Sequence, residues 1–564
     1  MNRRRGLVVV VVLLLALAVV IGRAAQIMIV QHDAWTERAR NQQERIIEAP
    51  GPRGEIRSSD GYVLATSVER LAIQLDTKEV GYPELFVQAA APILGVPVAE
   101  LLPRLSRGGR SVWIAQKVER RVAEQVQAIA PSAVVLVPDS QRIYPLGSVA
   151  APMVGFVGRE ELTMVGRSGL EYLYDESLAG EPQSFLAVQD ARQRRLSLRQ
   201  LGGGRAGFDL ELTINARLQA ACERELRSVL EAREAKAVSA VMLDVHTGSI
   251  LAIVSLPSFD PADAGSSPQS NWRLRPVQDA FEPGSVVKPL VAAGALAYGV
   301  VGRGERFDCS RRGIRVAGRW LRDHAEPGHY TIEEIVTRSA NAGIVEVAAR
   351  LSPTQLRQIF DAFGFGRRTG VGFPAESSGI LPEVDSWSGL SQASLALGQE
   401  LTVTPLQVAV AYAAIANGGW LMKPRLVDRA TGPDESVPER QRWQAHVLDE
   451  DLAARVTGML EAVVRDGTGR LAAVSGYRVA GKTGTAQRAV RGTFDDTHHV
   501  AWFAGFLPLP QPSVAVVVAV EEPTDDFWGS TVAAPAFARL ARAAMSHLAV
   551  PPTEPVEAST GGSA

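Results

Sequence analysis

The first thirty residues carry the longest apolar stretch of the chain. Hydrophobic residues fill 7–21, a more polar segment follows at 22–26, and apolar residues resume at 27–30. As one helix, 7–30 measures about 36 Å at 1.5 Å per residue, enough to span a bilayer with some tilt. We predict a transmembrane anchor here. The arginines of 1–6 predict a cytoplasmic tail, which leaves the rest of the chain outside the inner membrane.

A cleaved signal peptide is the alternative to this anchor. The apolar core is long for a signal peptide and no small-x-small cleavage site follows it, so we favour the uncleaved anchor. Arg23 lies inside the predicted span, where its side chain either reaches for the outer interface or faces a partner helix. We expect the partner helix.

Short apolar segments alternate with turns between the anchor and residue 205. Residues 31–50 are polar and helix-prone, which predicts a stalk. From 51 to 205 the pattern is that of a mixed α/β region, with a hairpin turn at Asp60-Gly61 and two or three proline-broken helices in 83–130. Because this region contains no cluster of nucleophiles or ligands, we interpret 51–205 as a non-catalytic pedestal.

A glycine-rich segment, 201–207, separates the pedestal from a second region. No Gly-Lys-Ser/Thr follows these glycines, so a flexible linker is a better interpretation than a phosphate-binding loop. The next domain is predicted at 208–548. The Pro/Ser/Thr/Gly-rich end of the chain, 549–564, predicts a disordered tail.

The 208–548 domain combines an amphipathic helix with five apolar strands. Asn215 is a candidate N-cap, and one apolar face of the helix after it includes Cys222. The strands are expected at 238–245, 249–256, 479–487, 500–507 and 514–520. We therefore predict a multidomain α+β fold, in which helices between the second and third strands flank a five-stranded antiparallel sheet.

Composition narrows the functional classes. The chain has 564 residues, 46% of them hydrophobic, which indicates several globular domains, and its net charge of −2 gives no basis for nucleic-acid binding. Two cysteines, Cys222 and Cys309, are too few for a disulfide framework. For Cys222, on the apolar face of a predicted helix, we expect a buried thiol, and a bridge between the two cysteines is the alternative. The eight histidines lack metal-ligand spacing, so we predict no metal and no cofactor.

Three short segments of the second domain carry candidate chemistry. Ser285 lies three residues before Lys288, one of only six lysines in the chain. At this spacing on a helix the two side chains share a face, so the amine can act as base for the hydroxyl. The base must be neutral, whereas free lysine has a pKa of about 10.4. Burial and a second nearby cation both lower that pKa, and Lys482 is the candidate cation.

Two further segments complete this chemistry, Ser339-Ala340-Asn341 in an expected helical loop and Lys482-Thr483-Gly484-Thr485 on an expected strand. Ser285 is predicted at a helix N-terminus, where its amide and that of Thr485 form an oxyanion hole. Each segment alone is a weak signal. Their order and settings together indicate an acyl-transfer enzyme that works through an acyl-serine.

These segments resemble those of the class B penicillin-binding proteins, the membrane-anchored peptidoglycan DD-transpeptidases. The resemblance extends from about residue 52 to about residue 537, implies the penicillin-binding fold, and makes the pedestal a dimerisation-type domain. Its further motifs are Pro52-Arg53-Gly54, Arg142-x-Tyr144-Pro145, Gly169-Leu170-Glu171, Gly398-Gln399-Glu400 and Val403-Thr404-Pro405-Leu406-Gln407. One departure is Ser58-Ser59, where the family usually has Asp-Arg, and it puts only details of partner docking in doubt.

The resemblance implies a role for each residue of the first two segments. Ser285 is the nucleophile that attacks the penultimate D-Ala carbonyl of a stem peptide and releases D-Ala. Lys288 is its general base, and Ser339 relays the proton to the leaving group. Asn341 holds the substrate backbone and Lys288.

For the third segment the resemblance implies substrate binding. Lys482, Thr483 and Thr485 bind the terminal carboxylate, and Gly484 belongs to the same substrate-binding segment. Lys482 also supplies positive charge for catalysis. An amine of a neighbouring stem peptide then resolves the acyl-enzyme as a cross-link. β-Lactams mimic D-Ala-D-Ala and are expected to trap Ser285.

Other classes fit less well. A β-lactamase shares the three segments, but the Glu-x-x-Leu-Asn segment of class A β-lactamases does not occur between Ser339 and Lys482. A bifunctional class A penicillin-binding protein needs a glycosyltransferase domain, for which 51–205 is too short. A catalytically silent scaffold or β-lactam sensor is the non-enzymatic alternative, and the intact segments argue against it.

Within class B the alternatives are septal and lateral-wall synthesis. The catalytic domain is compact, without a large insertion or C-terminal repeat modules, and this favours the division-specific type over the elongation type. The resemblance implies a polytopic membrane glycosyltransferase and other divisome proteins as partners, reached through the anchor and the pedestal. It also implies an inner-membrane location with the catalytic domain in the periplasm.

Overall fold

The structure is a computed structural model that describes residues 2–107, 111–160, 163–189, 195–432, 436–438, 443–490 and 493–555. Helix α1 (Asn2–Ala25) continues into a π-helical turn, Gln26–Val30, and α2 (His32–Gln43) follows. In this described part, one helix is long and apolar enough to cross a membrane, Arg4–Val30. Inside it the Arg23 guanidinium donates to Gln26 Oε1 at 2.8 Å, and the expected partner helix stays a prediction.

The pedestal is a mixed α/β region. Its strands are β1 (Glu44–Ala49), β2 (Ile56–Arg57), β3 (Val63–Asp76), β4 (Ser111–Val118), β5 (Val134–Ile143), β6 (Val157–Glu160), β7 (Thr163–Gly166), β8 (Gln183–Gln189) and β9 (Arg195–Gly202). Its helices are α3 (Pro83–Leu94), α4 (Val98–Arg107), α5 (Arg120–Ile129), α6 (Ala151–Val154), α7 (Gly169–Leu173) and α8 (Asp175–Leu178). Three helices occupy 83–130, but Pro92 and Pro103 lie inside α3 and α4 instead of breaking them.

The segment predicted as a stalk, 31–50, is only partly a stalk. Its first half is α2, whereas β1 in its second half pairs antiparallel with β8, which in turn pairs with β9. The Asp60-Gly61 turn joins β2 to β3, and these strands pair as a hairpin. The stalk segment therefore ends inside a sheet of the pedestal.

Charged residues from three of the motifs meet in one buried cluster of the pedestal. Arg53 donates from Nε to Glu171 Oε2 at 2.8 Å and from Nη1 to Asp175 Oδ1 at 2.7 Å. Arg142 donates from Nε to Glu171 Oε1 at 2.7 Å and from Nη1 to the Gly54 carbonyl at 2.7 Å. The side chains of Arg53, Arg142 and Glu171 are at most 2% exposed. One carboxylate with two guanidinium partners thus fixes three distant segments.

The C-terminal domain begins at β10 (Asp209–Leu212). Its other strands are β11 (Ala237–Asp244), β12 (Ile250–Leu256), β13 (Phe307–Asp308), β14 (Gly313–Val316), β15 (Arg319–Arg322), β16 (His329–Tyr330), β17 (Trp420–Met422), β18 (Val427–Thr431), β19 (Ser436–Pro438), β20 (Trp443–His446), β21 (Arg478–Val490), β22 (Thr493–Leu509) and β23 (Val514–Glu521). Its helices are α9 (Ala216–Ala232), α10 (Arg275–Gln278), α11 (Lys288–Ala297), α12 (Ile332–Arg338), α13 (Asn341–Ala349), α14 (Pro353–Ala362), α15 (Ser391–Ala396), α16 (Pro405–Ala416), α17 (Glu450–Arg465) and α18 (Ala533–His547). The Asn215 side chain caps α9, since its oxygen accepts the Leu218 N–H.

A five-stranded antiparallel sheet, ordered β12-β11-β23-β22-β21, forms the centre of this domain, as predicted. Alternate residues of each strand face opposite layers. On β22, Trp502 and Phe506 face the layer that contains α11, α13 and α16, whereas Phe503 faces α9 and α18. Because both faces are covered, every residue of β23 is buried.

The pedestal and the C-terminal domain share a sheet. Strand β10 pairs in parallel with β2 of the pedestal and antiparallel with β18 of the C-terminal domain. In the segment 201–207, the Gly207 N–H donates to the Pro52 carbonyl at 2.9 Å. A Cβ on Gly207 would lie 1.9 Å from the Leu178 carbonyl oxygen, so glycine permits this close crossing. The prediction of a flexible linker is therefore wrong for Gly204 and Gly207, which are closely packed, whereas a Cβ on Gly202 would meet no atom within 4 Å.

The two cysteines lie apart. Cys222 and Cys309 are both free and buried, and they belong to the two hydrophobic layers on opposite faces of the central sheet. The sheet stands between them, so the disulfide alternative is wrong and the prediction of a buried thiol at Cys222 is confirmed.

The start of the predicted tail packs on the C-terminal domain. The Tyr477 hydroxyl donates to the Val550 carbonyl at 2.7 Å, and the Thr553 N–H donates to the Gly476 carbonyl at 2.9 Å. The prediction of disorder is thus wrong for this first part. Residues 556–564 lie outside the described residues.

Candidate active site

Ser285 lies in a tight turn that leads directly into a buried helix. The turn, Gly284–Val287, is 3₁₀-helical, and α11 follows it from Lys288. Gly284 has φ +57°, and a Cβ on it would lie 2.7 Å from the Thr485 carbonyl oxygen, so glycine is needed there. Ser285 is thus at the start of a helical segment whose first turn is narrower than an α-helix.

Aromatic residues from two distant elements fix this turn. The Trp502 indole donates to the Glu282 carbonyl at 3.1 Å, and the Tyr412 hydroxyl donates to the Val286 carbonyl at 2.8 Å. Sequence analysis gave neither residue a role. Trp502 lies on β22 and Tyr412 on α16, both far from Ser285 along the chain. No sequence spacing links them to the turn, so only the folded structure reveals the contacts.

The Lys288 amine joins the first two segments. Its side chain is fully buried, and Nζ donates to Asn341 Oδ1 at 2.6 Å and to the Ser339 carbonyl at 2.8 Å. Ser339 Oγ lies 3.3 Å from the same nitrogen. The structure thus brings Lys288, Ser339 and Asn341 together, one turn from Ser285.

Burial sets the protonation of this amine. Loss of hydration lowers the pKa of Lys288 to about 7, while the Asp323 carboxylate acts in the opposite direction. A substantial fraction of Lys288 is therefore neutral near pH 7, as a general base must be. A neutral amine has two N–H groups for the two carbonyl-type oxygens and a lone pair left for a hydroxyl.

The Ser339–Asn341 segment is held in turn by a neighbouring loop. Ser339 ends α12 in the left-handed conformation, with φ +60°, which costs a non-glycine residue about 1–3 kcal/mol. Asn341 Nδ2 donates to the Arg322 carbonyl at 2.9 Å, and the Asp323 carboxylate accepts the N–H of the residue after Asn341 at 2.7 Å. These contacts orient the Asn341 oxygen toward the buried lysine. Sequence analysis missed Arg322 and Asp323.

Lys482 is equally buried, on the edge strand β21. Its Nζ donates to the Thr483 carbonyl at 3.2 Å. Burial lowers the pKa of Lys482 well below its ordinary value, and the positive charge of Lys288 lowers it further. Sequence analysis expected burial and Lys482 together to lower the pKa of Lys288. Burial is the largest cause at both lysines, and repulsion between the two amines disfavours protonation of both at once.

The threonine hydroxyls of β21 have partners that sequence analysis did not identify. Thr483 Oγ1 lies 2.8 Å from Thr468 Oγ1, and Thr485 Oγ1 accepts the Gly529 N–H at 3.0 Å. Thr468 lies between α17 and β21, and Gly529 lies between β23 and α18. Both hydroxyls are therefore oriented by loops that no sequence spacing connects to them.

The first and third segments meet through their glycine backbones. A Cβ on Gly484 would lie 2.7 Å from the Pro283 carbonyl oxygen, and a Cβ on Gly284 would lie 3.3 Å from the Thr485 nitrogen. Ser285 and Thr485 thus lie on neighbouring backbones, which is what a pair of oxyanion-hole amides needs. One site therefore holds a candidate hydroxyl nucleophile, a buried amine and candidate oxyanion donors.

A carboxyl group next to the Gly284–Val287 turn also has a pKa near neutrality. Glu282 Oε1 accepts the Glu400 N–H at 2.9 Å. Burial raises the pKa of Glu282 to about 7, and the charge of Glu400 acts in the same direction. A pH profile of this site must therefore separate Glu282 from Lys288. Within the residues described, no group of three or more His, Cys, Asp or Glu side chains lies close enough to hold a metal ion.

Comparison with known proteins yields two family matches and similar full-length relatives. The penicillin binding protein transpeptidase domain family matches 238–542, and the penicillin-binding protein dimerisation domain family matches 48–212. The chain is 32% identical over 531 residues to the peptidoglycan D,D-transpeptidase FtsI of Escherichia coli K12, covering 93% of this chain and 88% of that protein. It is 31% identical over 564 residues to stage V sporulation protein D of Bacillus subtilis, covering 98% and 86%.

Solved structures agree with these matches. Penicillin binding protein 3 from Mycobacterium tuberculosis, complexed with aztreonam, superposes with a TM-score of 0.70 at 27% identity, covering 90% of this chain and 99% of that chain. With a transpeptidase domain behind a dimerisation domain, the chain belongs to the class B penicillin-binding proteins.

Proposed function

We propose that this protein is a peptidoglycan D,D-transpeptidase that cross-links stem peptides through an acyl intermediate on Ser285. The proposal rests on the environment of Lys288. This lysine is buried, its pKa is about 7, and its Nζ donates hydrogen bonds to Ser339 and Asn341. The relatives support it, since the E. coli protein is named a peptidoglycan D,D-transpeptidase and the mycobacterial structure contains aztreonam, a β-lactam.

In the acylation step, neutral Lys288 removes the Ser285 proton while Oγ attacks the penultimate D-Ala carbonyl carbon. The amides of Ser285 and Thr485 donate to the oxyanion that forms. Ser339 passes the proton from Lys288 to the nitrogen of the terminal D-Ala, the C–N bond breaks, and D-Ala leaves. Lys288 is neutral again, and the acyl group is bonded to Ser285.

The terminal carboxylate of the donor binds beside Lys482, Thr483 and Thr485. A carboxylate raises the pKa of Lys482, because an opposite charge stabilises the ammonium form, so donor binding takes up a proton. Gly484 keeps this strand close to the nucleophile turn, and Asn341 holds the donor backbone. A bound donor carboxylate thus favours the positive charge assigned to Lys482.

Deacylation repeats these steps with a different nucleophile. The amine of a neighbouring stem peptide attacks the acyl-serine carbonyl, its proton passes through Ser339 and Lys288 to Ser285 Oγ, and the C–O bond breaks. The new amide is the cross-link. A β-lactam undergoes the first step, but its leaving nitrogen stays attached through the opened ring, so the acyl-enzyme persists.

The test uses the purified full-length protein, a pentapeptide donor ending in D-Ala-D-Ala and an amine acceptor. We expect D-Ala release and a cross-linked product by mass spectrometry, both lost in Ser285→Ala. The exposed Ser266→Ala variant is the matched control and keeps both activities. Release of D-Ala with water as the only acceptor would contradict transpeptidation.

We also propose that the enzyme acts in septal synthesis, with lateral-wall synthesis as the alternative. In its support, the described residues between β12 and β21 form helices and short sheets packed on the central sheet, without an inserted domain. The test is a fluorescent fusion at native expression level. A midcell band is expected, and label restricted to the side wall would overturn the proposal.

For location, we propose an inner-membrane anchor with the pedestal and catalytic domain in the periplasm. The apolar Arg4–Val30 helix behind a basic N-terminus supports this orientation. Protease added to spheroplasts is expected to degrade the C-terminal domain, and full protection would contradict the orientation.

The expected partners are a polytopic membrane glycosyltransferase and other divisome proteins, reached through the anchor and pedestal. Deleting 50–205 is a poor test, because it removes β2 and exposes the edge of β10. The substitution Arg23→Leu is sharper. Loss of the co-purifying membrane enzyme is expected, and unchanged co-purification would contradict a partner helix at Arg23.

A further inference from the structure

A small hairpin beside the active site presents an unusual outer face. Strands β14 and β15 pair so that Arg315 lies opposite Trp320, and Gly313 lies opposite Arg322. Because side chains alternate along a strand, Arg315, Trp320 and Arg322 share one face, and all three are exposed. The other face carries Ile314, which packs against the main hydrophobic core.

Trp320 lies flat on the hairpin instead of packing into the protein. A Cβ on Gly313 would be 2.7 Å from the ring atom Cε2, so the indole covers this glycine. The side chain is nevertheless 44% exposed. A large aromatic ring fixed on one side and open on the other is a ready surface for stacking, with an arginine on either side of it.

The hairpin is strongly basic. Five arginines lie within 311–322, and among the described residues only Arg312 has a carboxylate within 4 Å, an exposed contact with Glu326. The nearest acid in sequence, Asp323, is turned inward, since its oxygens accept backbone N–H groups of Ala342 and Ala325. The face therefore suits a ligand that carries negative charge.

The base of the hairpin is part of the active site. The Arg322 carbonyl accepts the Asn341 side-chain amide at 2.9 Å, and Asn341 in turn binds Lys288. Four residues of strand measure about 13 Å, so the exposed face begins at the site and extends away from it over that length. A polymeric substrate bound in the site can therefore extend onto this face.

We propose that the Arg315–Trp320–Arg322 face binds the glycan and stem peptide of a peptidoglycan strand, away from the bond that reacts. Trp320 stacks on a sugar ring, and the two guanidinium groups pair with carboxylates of the stem peptide. This inference rests on the proposed transpeptidase function and adds a subsite to it. Contacts with remote parts of a substrate position the reacting part, so the subsite favours strands over short peptides.

The test compares two donors, a soluble glycan strand bearing pentapeptides and the free pentapeptide. For Trp320→Ala and Arg315→Ala we expect KM for the strand to rise roughly tenfold, the size of losing one good contact at a binding surface. KM for the free peptide and the rate of penicillin acylation stay unchanged. The Arg315 effect shrinks at high salt, as expected for an exposed charge.

Two controls accompany these variants. Trp320→Phe keeps a stacking ring and restores most of the strand affinity, and Trp420→Ala removes an equally exposed indole, 42% accessible, without effect. Equal effects on both donors, or no effect on either, would overturn the subsite. Unchanged strand kinetics with loss of cell growth would assign the face to an acidic protein partner and also overturn it. Inactivity of the wild-type protein on both donors would instead refute the proposed function.

Discussion

Two buried clusters of ionisable side chains in this molecule differ in whether their charges are paired. In the pedestal, Glu171 bonds Arg53 and Arg142 through both of its oxygens, so positive and negative groups are paired. In the C-terminal domain, the amines of Lys288 and Lys482 have amide, carbonyl and hydroxyl oxygens as acceptors. Paired charges hold segments together, whereas buried cations with neutral acceptors have lowered pKa values and become reactive.

Replacing Lys288, the proposed general base, gives the largest expected effect. Lys288→Met removes the base, so the rate of acylation by penicillin falls roughly 10²–10⁴-fold. The pKa of Lys288 is about 7 in the folded protein and 10.5 in the unfolded chain, so at pH 7 the unfolded chain holds this proton more tightly. This difference destabilises the folded state, and removing the amine therefore raises the free energy of unfolding at pH 7. Stopped-flow assays measure the acylation rate, and thermal unfolding measures the stability. A variant that acylates normally would end the distinction between the two clusters.

Breaking the pedestal cluster is expected to lower the stability and to leave the acylation rate unchanged. Glu171→Gln leaves the buried Arg142 without a carboxylate and Arg53 with Asp175 alone, and it costs about 3–5 kcal/mol of folding free energy. Acylation per folded molecule does not change. The control is Glu160→Gln, which removes an exposed pair with Arg167 and costs at most about 1 kcal/mol. Denaturant unfolding measures both variants; equal losses would show that burial of the cluster contributes nothing.

The Asp323 carboxylate offers a finer adjustment of the catalytic cluster. Wild-type acylation should rise with pH through about 7, as Lys288 loses its proton. Asp323 raises the Lys288 pKa, so Asp323→Asn lowers it, and the midpoint of the profile moves to lower pH. The exposed Asp385→Asn serves as the control. A midpoint that moves to higher pH would contradict the assignment of the profile to a base.

The smallest effect is expected for Glu282→Gln. The pKa of Glu282 is also raised to about 7, yet its contact is with the backbone of Glu400 and not with the reacting groups. The amide keeps an oxygen for that N–H, so the acylation rate changes only a few-fold and the midpoint stays. If the midpoint disappears, Glu282 and not Lys288 controls the profile.

Local patterns predicted much of the fold. The five-stranded sheet follows from apolar strands of the right length, and the Asn215 cap follows from side-chain chemistry. The pairing of β10 with β2 was missed, because strand partners far apart in sequence leave no local trace. The glycines of 201–207 predicted flexibility, whereas Gly207 in fact permits a close approach to the Leu178 carbonyl.

The residues of the candidate site also divide into those that sequence spacing predicted and those that it did not. Ser285 and Lys288 are one turn apart and could be predicted from their spacing. The groups that hold the site are scattered along the chain: Tyr412, Thr468 and Gly529 contact it only after folding. The lowered pKa of Lys482 could not be predicted from spacing either, since the burial of both lysines depends on the whole domain.

The central claim is that Ser285 is the nucleophile and that the buried Lys288 activates it. The most direct measurement is mass spectrometry of the full-length protein after reaction with a labelled penicillin, followed by peptide mapping of the adduct. We predict one adduct per chain, located on Ser285, and an unmodified Ser285→Ala protein. A covalent adduct on Ser285→Ala, or an adduct mapped to another residue of the wild-type chain, would contradict this account.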